Sequence, residues 1–283
     1  GSSTFSNIEW DTYTFAFTSS SYDLGGTIPL SPLIVNPSSS LSFRFVPETK
    51  QPKSLLVSVA DSASGAGIQG ANVVLSGTGG FSQTLITGRG FWTDTDWSAG
   101  AFSSQVGMDA TSTPGVLTML ANASSTYSTS TVAMLVSNTI DVGSSSSTYF
   151  ALGWNPVSQP PQTGAGSVKF QIAANNDNAT WNFVGPDGTP ATYYMASSTL
   201  SGFNNNRYVR YEVFMSTQDS LVTPRLDGAT LEFYAVCVPP AHALFTSLGL
   251  GDYSVRVNAS GYEEGSSTIA VTGDWKQTEM PLK

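Results

Sequence analysis

Residues 54–77 read SLLVSVADSASGAGIQGANVVLSG, and the parsing of this stretch decides the fold. Leu, Val and Ala run through residues 54–61 and again through 71–75, with a Gly-, Ser- and Ala-rich link between them. β-Branched side chains suit a pleated surface and Gly/Ser clusters interrupt strands, so the stretch predicts strand, turn, strand. A third strand is expected near TLITG at 84–88, which makes half of a small sandwich that runs on through GRGFWTDTDW at 88–97. The other half is missing there. It reappears at 243–283, ALFTSLGLGDYSVRVNASGYEEGSSTIAVTGDWKQTEMPLK, where a Gly-Asp turn leads into paired strands and a final strand. The expected organisation is therefore one β-sandwich built from 51–97 and 238–283, split by an insertion at 98–237.

Strand signals continue elsewhere, in TYTFAF at 12–17, LSFRFV at 41–46, SVKFQIA at 167–173, RYVRYEVFM at 207–215 and ATLEFYAV at 229–236. No window has a helical period. Many short strands separated by Gly, Pro, Ser and Asn imply an all-β chain of sandwiches or jelly rolls.

The opening and closing segments share a spacing. Phe5, Tyr13 and Tyr22 fall on Phe245, Tyr253 and Tyr262 at one offset, 245 − 5 = 253 − 13 = 262 − 22 = 240. This reads as an internal repeat. Residues 1–50 would then be the second half of another sandwich, with its first half upstream of residue 1. Half a sandwich leaves strand edges unpaired, which invites completion by a neighbouring copy, by upstream strands or by the chain's own body.

Composition narrows the function. Of 283 residues 40% are hydrophobic, enough for two cores, while only 11% are charged, against roughly 25% in ordinary soluble domains. Lys and Arg number 11 and Asp and Glu 20, a net charge of −9 without a basic run, which argues against nucleic acid as a partner. No stretch approaches the length of apolar sequence that spans a bilayer, so no membrane insertion is expected within the segment. The single cysteine, Cys237 in YAVCVPP, cannot form an internal disulfide and reads as a small buried hydrophobe.

The stretch LLVSVADSASGAGIQGANVVLSG and the later GLGDYSVRVNASGYEEGSSTIAV resemble the carboxypeptidase regulatory-like repeats, the transthyretin-like sandwich also found as collagen-adhesin B-type modules. The residues that bear the likeness are Asp61, Gly65, Ile68, Gly70, Ala71 and Val73, then Tyr253, Val255, Val257, Gly261 and Tyr262. Some modules of that family hold a Lys-to-Asn or Lys-to-Asp isopeptide bond. Val59 and Ala60 stand where that lysine is expected, so none is assigned. The insertion looks like a galactose-binding-like or concanavalin-like jelly roll, chiefly through RYVRYEVFMST and TPRLDGATLEFY. The likeness implies stalks, spacers and accessory domains on extracellular, cell-surface or pilus-associated proteins, and it does not imply catalysis.

Catalytic motifs are absent: there is no GxSxG, HExxH, CxxC or phosphate loop, and His242 is the only histidine. No catalytic residue is assigned. Glycan hydrolysis needs two acids flanking one bond. Asp94 and Asp96 have an i, i+2 spacing, and Glu212 and Glu232 lie singly in what read as core strands. For a metal, Asp94, Asp96, Asp109 and the run Asn175–Asn178 are oxygen-rich and can hold a structural calcium ion, or can cap turns through their own backbone. No other cofactor is expected. For a glycan, Trp154, Asn176, Asp177, Trp181, Tyr193 and Tyr194 combine ring surface with hydrogen-bonding groups, although each aromatic can equally be core. Asn122, Asn178 and Asn258 stand in glycosylation sequons. The expected function is a non-enzymatic extracellular structural or adhesive segment, with a carbohydrate-binding module as the alternative.

Overall fold

The computed structural model describes residues 4–15, 18–196, 199–236, 238–273 and 275–283. These are all-β, with three single-turn 3-10 segments and no α-helix among them. In order the strands are β1 Thr12–Tyr13, β2 Tyr22–Ile28, β3 Leu33–Ile34, β4 Arg44–Thr49, β5 Ser54–Asp61, β6 Asn72–Gly77 and β7 Ser82–Ile86. There follow β8 Gly90–Asp94, β9 Phe102–Val106, β10 Met108–Asp109, β11 Leu117–Met119, β12 Ala133–Ser137, β13 Ile140–Asp141 and β14 Thr148–Asn155. The last are β15 Val168–Asn175, β16 Tyr208–Met215, β17 Arg225–Leu226, β18 Gly228–Tyr234, β19 His242–Phe245, β20 Gly251–Asn258, β21 Gly265–Val271 and β22 Trp275–Leu282. The chain divides into two compact units, 1–89 with 237–283, and 90–236.

In the first unit a three-stranded sheet, β19-β5-β22, and a four-stranded sheet, β21-β20-β6-β7, share one core. Period-two alternation puts Tyr253, Val255 and Val257 of β20 inward, where they meet Leu55, Val57 and Val59 of β5, Phe245 of β19 and Met280 of β22. The Gly-rich turn after β5 is fixed by Asp61, whose Oδ1 accepts the N–H groups of Ala63 (3.0 Å) and Ser64 (2.7 Å). Thr87 closes it from below: its hydroxyl donates to Ile68 O (2.7 Å) and accepts Ala71 N–H (3.0 Å). The β5–β22 pair is parallel, from Trp275↔Ser54 to Leu282↔Asp61, whereas every other strand pair among the described residues is antiparallel.

β5 is buried on both faces, Leu56 and Ala60 as fully as Leu55 and Val57. The opening segment covers the second face. β2 packs against β5 and β19, and a side chain at Gly26 would strike Pro239 and His242. Trp275 Nε1 donates to Leu24 O at 3.2 Å.

The repeat expected from the shared spacing is not one in space. Phe245 is fully buried in β19, but Phe5 is 73% exposed and lies outside any strand. Tyr253 sits in the long β20–β21 hairpin, while Tyr13 belongs to a two-residue pairing of β1 with β3, interleaved with a β2–β4 pairing. Equal spacing of aromatic residues matched letters, not ladder partners. The opening segment has its own small cluster instead, with Phe15 stacked on Phe43 at 4.3 Å and Phe45 set edge-on to both.

The unit boundary also falls earlier than expected, at 89/90 and not 97/98. GFWTD at 90–94 follows β7 after only three residues, yet it pairs with β18 inside the second unit, Gly90↔Phe233 to Asp94↔Ala229. That unit holds a β14-β18-β8 sheet, a sheet in which β16 lies between β15 and β12 with β9 beyond, and a small β10-β11-β17 sheet. Trp154 of β14 lies 4.7 Å from Phe170 of β15, ring centre to ring centre, so the two larger sheets bury one core between them. Cys237 lies outside the described residues.

Candidate binding face

The three aspartates expected to bind metal do different work. Asp94 is buried and its Oδ2 accepts the Tyr211 hydroxyl at 2.7 Å. Burial pushes its pKa up against that hydrogen bond. Asp96 is exposed and accepts Ser98 N–H at 2.9 Å, which holds its carboxyl low. Asp109 accepts the N–H groups of Thr111 and Ser112, both at 2.9 Å, and is held down to about 2, chiefly by Ser112. Among the described residues no three His, Cys, Asp or Glu side chains are gathered as a metal would need. Turn capping accounts for Asp96 and Asp109.

The six residues expected to bind a ligand separate by face. Trp154 and Tyr194 point into the core, the first against Phe170 and the second bridged to Phe170 through backbone hydrogen bonds of 2.9 Å in both directions. Asp177 is exposed and caps its own turn, accepting Ala179 N–H (2.9 Å) and Thr180 N–H (3.0 Å), which lowers its pKa. Asn176 ties that turn to the start of β16, donating to Asn205 O and accepting Arg207 N–H, both at 2.9 Å. Trp181 and Tyr193 are half-buried on the outer side of the β16 sheet.

What brings them there is β16. Its burial alternates without a break, so Val209, Tyr211, Val213 and Met215 face the core while Tyr208, Arg210, Glu212 and Phe214 face out. Glu212 thus lies in a core strand, as its sequence implied, with its side chain on the outward face. The strict alternation in YVRYEVFM is the signal that identifies this face. The Arg210 guanidinium lies 4.5 Å from the Trp181 ring centre, and its Nε donates to Thr139 Oγ1 at 2.9 Å. Tyr193 is set edge-on to Phe214 at 5.1 Å with Lys169 Nζ 3.8 Å over its ring. Cation–π contacts of this kind contribute about 0.5–2 kcal/mol and fix both cations against the sheet.

Ladder register supplies the rest of the layout. Lys169 and Met134 flank Phe214, and Gln171 and Val136 flank Glu212. Glu212 therefore lies one step along β16 from both the Phe214 row and Arg210. Burial raises its pKa. Gln171 Nε2 is committed to Pro190 O and Thr192 O, at 2.9 and 2.8 Å, which anchors the segment that presents Tyr193. Ring surface, two cations and one carboxylate share this face, the mixture that recognises sugar rings and hydroxyls.

Other features carry less chemistry. A pocket of 340 Å³ is bounded by Gln159, Pro160, Pro161, Ser167 and Met195, with no ionisable side chain in its wall. A second, of 280 Å³, is lined by Thr93, Gly153, Asn155, Asp227 and Thr230, and Asp227 is paired with Arg225. His242 is buried in the first unit, its Nδ1 without a hydrogen-bond partner among the described residues and its pKa pushed down to about 4. No family model matches the chain, and neither does any curated protein or solved structure.

Proposed function

We propose that the chain is a non-catalytic structural and adhesive segment of an extracellular assembly, a cell-surface, pilus or filament-like one, whose first unit bears tension while the inserted unit is displayed. The observation that supports this reading is the parallel β5–β22 ladder. Because the strands run the same way, the entry of β5 at Ser54 and the exit of β22 at Leu282 lie at opposite ends of the pair. Tension between those points loads all the ladder hydrogen bonds at once, in shear, instead of opening them one by one. Residues 62–274 carry none of that load until the ladder breaks. The bulk of the chain, the inserted unit included, is thereby kept off the load path.

The test is single-molecule pulling from two pairs of attachment points. Handles at Gln51 and Lys283 shear the ladder; handles at Ala63 and Lys283 peel it from one end. The shear pair is expected to rupture at clearly higher force, and equal forces would remove the load-bearing role.

A second reading, a carbohydrate-binding module, is favoured by the grouping of Trp181, Tyr193, Arg210 and Glu212 on one outer face. A glycan array with the wild-type chain and Trp181→Ala decides it. Loss of one aromatic stacking surface is expected to abolish any binding seen, and an array with no binding removes this reading while leaving the pulling test untouched.

A further inference from the structure

Trp181 and Tyr193 reach the outer face of the β16 sheet by the same route. Both belong to the segment that runs along the side of β15 away from β16, held there by the Val184↔Ile172 and Tyr194↔Phe170 bridges. Each crosses β15 to meet an outward side chain of β16, Trp181 at Arg210 and Tyr193 at Phe214. The β15 neighbour of Arg210 is Ala173, short enough for an indole to cross. Arg210 and Phe214 are four residues apart on one strand, so the two rings are anchored about 13 Å apart along β16. Both rings stay partly exposed. Glu212 lies midway between the two anchors, on the same face.

We infer that this face binds a neutral, linear oligosaccharide of at least three sugars laid along β16, one sugar on Trp181, one on Tyr193 and one over Glu212. The inference rests on the carbohydrate-binding reading above and names its ligand. Length comes from the spacing, because a single pyranose ring covers one aromatic platform and cannot touch the other. Neutrality comes from the charges around the strip. Lys169 lies over Tyr193 and Arg210 over Trp181, and among the described residues neither is ion-paired, whereas Arg207 is paired with Asp141 and Arg225 with Asp227. Against these two cations stand Glu212 between the platforms and two exposed carboxylates in the turns that lead to them, Asp177 four residues before Trp181 and Asp187 six before Tyr193. An acid group on a sugar meets those carboxylates, and an amino group meets the cations, so a chain of either sign is opposed at some point along the strip. Hydroxyl groups suit both. They donate to Glu212, and they accept from Lys169 Nζ and from Arg210 Nη2, the nitrogen left over among the described residues once Nε donates to Thr139 and Nη1 to Ser103.

An array of neutral linear oligosaccharides graded in length from the monosaccharide upwards, beside uronic-acid and amino-sugar oligomers of the same lengths, tests this with the full chain. Binding is expected to begin at the trisaccharide, and neutral oligomers are expected to bind at least about tenfold more tightly than charged ones of equal length. Trp181→Ala and Tyr193→Ala are each expected to abolish it. Glu212→Gln is expected to keep the neutral ligand and to admit the uronic-acid oligomers. Circular dichroism melts establish that the variants keep the fold, and the length series needs no variant. A monosaccharide that binds as tightly as the trisaccharide, or a preference for an acidic or amino-sugar chain, overturns the inference and leaves the carbohydrate-binding reading standing. So does a loss of binding on one ring substitution and not the other, or an unchanged charge preference in Glu212→Gln. An array without any binding removes both.

Discussion

Replacing Tyr211 with Phe removes a single oxygen from the core of the second unit. That oxygen donates to Asp94 Oδ2 at 2.7 Å, and both residues are buried, 1% and 8% exposed. A hydrogen bond to an ionised group contributes about 1.5–3 kcal/mol, and one between neutral groups about 0.5–1.5 kcal/mol. The loss therefore depends on whether Asp94 is charged. Burial raises its pKa above the ordinary 3.8, and the Tyr211 hydroxyl is the strongest influence pulling it back. With a raised folded-state value, the folded chain binds a proton more readily than the unfolded one, so this group's stabilisation is complete below 3.8 and declines as pH rises through the raised value. Tyr211→Phe pushes that value higher still and deepens the decline. The variant is expected to be less stable by about 2 kcal/mol at neutral pH, narrowing to about 1 kcal/mol below the ordinary carboxylate range. For a unit of 236 − 90 + 1 = 147 residues, 2 kcal/mol lowers the melting temperature by about 4–8 °C. Urea titrations of both proteins at the two pH values, followed by tryptophan fluorescence, measure the difference directly. A penalty that is constant with pH, or larger in acid, would refute the reasoning.

Further outcomes follow from both units. Burial holds His242 at about 4 against an ordinary 6.5; its folded value is depressed, so the stabilisation is present above 6.5 and is lost as pH falls towards 4, by about 3 kcal/mol in all. His242→Gln is expected to flatten that slope in thermal melts between those pH values, and an unchanged slope contradicts the assignment. Gly26 has φ +153°, and a Cβ there would come within 2.4 Å of Pro239 Cγ, so Gly26→Ala is expected to cost about 2–4 kcal/mol. Gly153→Ala meets nothing within 4 Å and is expected to change stability by less than about 0.5 kcal/mol, which chemical denaturation of the pair compares.

Local signals were strong enough to read the strands. LLVSVAD, ANVVLSG, YSVRVNA and RYVRYEVFM all form ladders because their alternation or β-branched density leaves few other uses for them. What the sequence could not distinguish was which face a given aromatic takes. Tyr193 and Tyr194 are neighbours in the chain and therefore point to opposite sides of the sheet, one outward over Phe214 and the other into the core. The meeting of Trp181 with Arg210 depends on a connection that returns across β16, a non-local event with no local signature. The supposed repeat failed for the same reason, since Phe5 and Phe245 share a spacing and differ in every partner.

The pairing of β8 with β18 sets the entrance and exit of the insertion side by side, Gly90 opposite Phe233. Ser58 and Thr278, joined by a hydrogen bond, are 220 residues apart. If the 147-residue insert folds first, the loop that must close to join them shrinks to 220 − 147 = 73 flexible residues. Loop-closure entropy grows as the logarithm of length, so this prefolding saves about 1 kcal/mol. On a ribosome the order is imposed as well: β5 to β7 emerge long before β19 to β22, and the insert matures while their apolar face waits for its cover. A slow-folding insert would prolong that exposure, so the rate at which residues 90–236 fold governs how long the half-built core is open to aggregation.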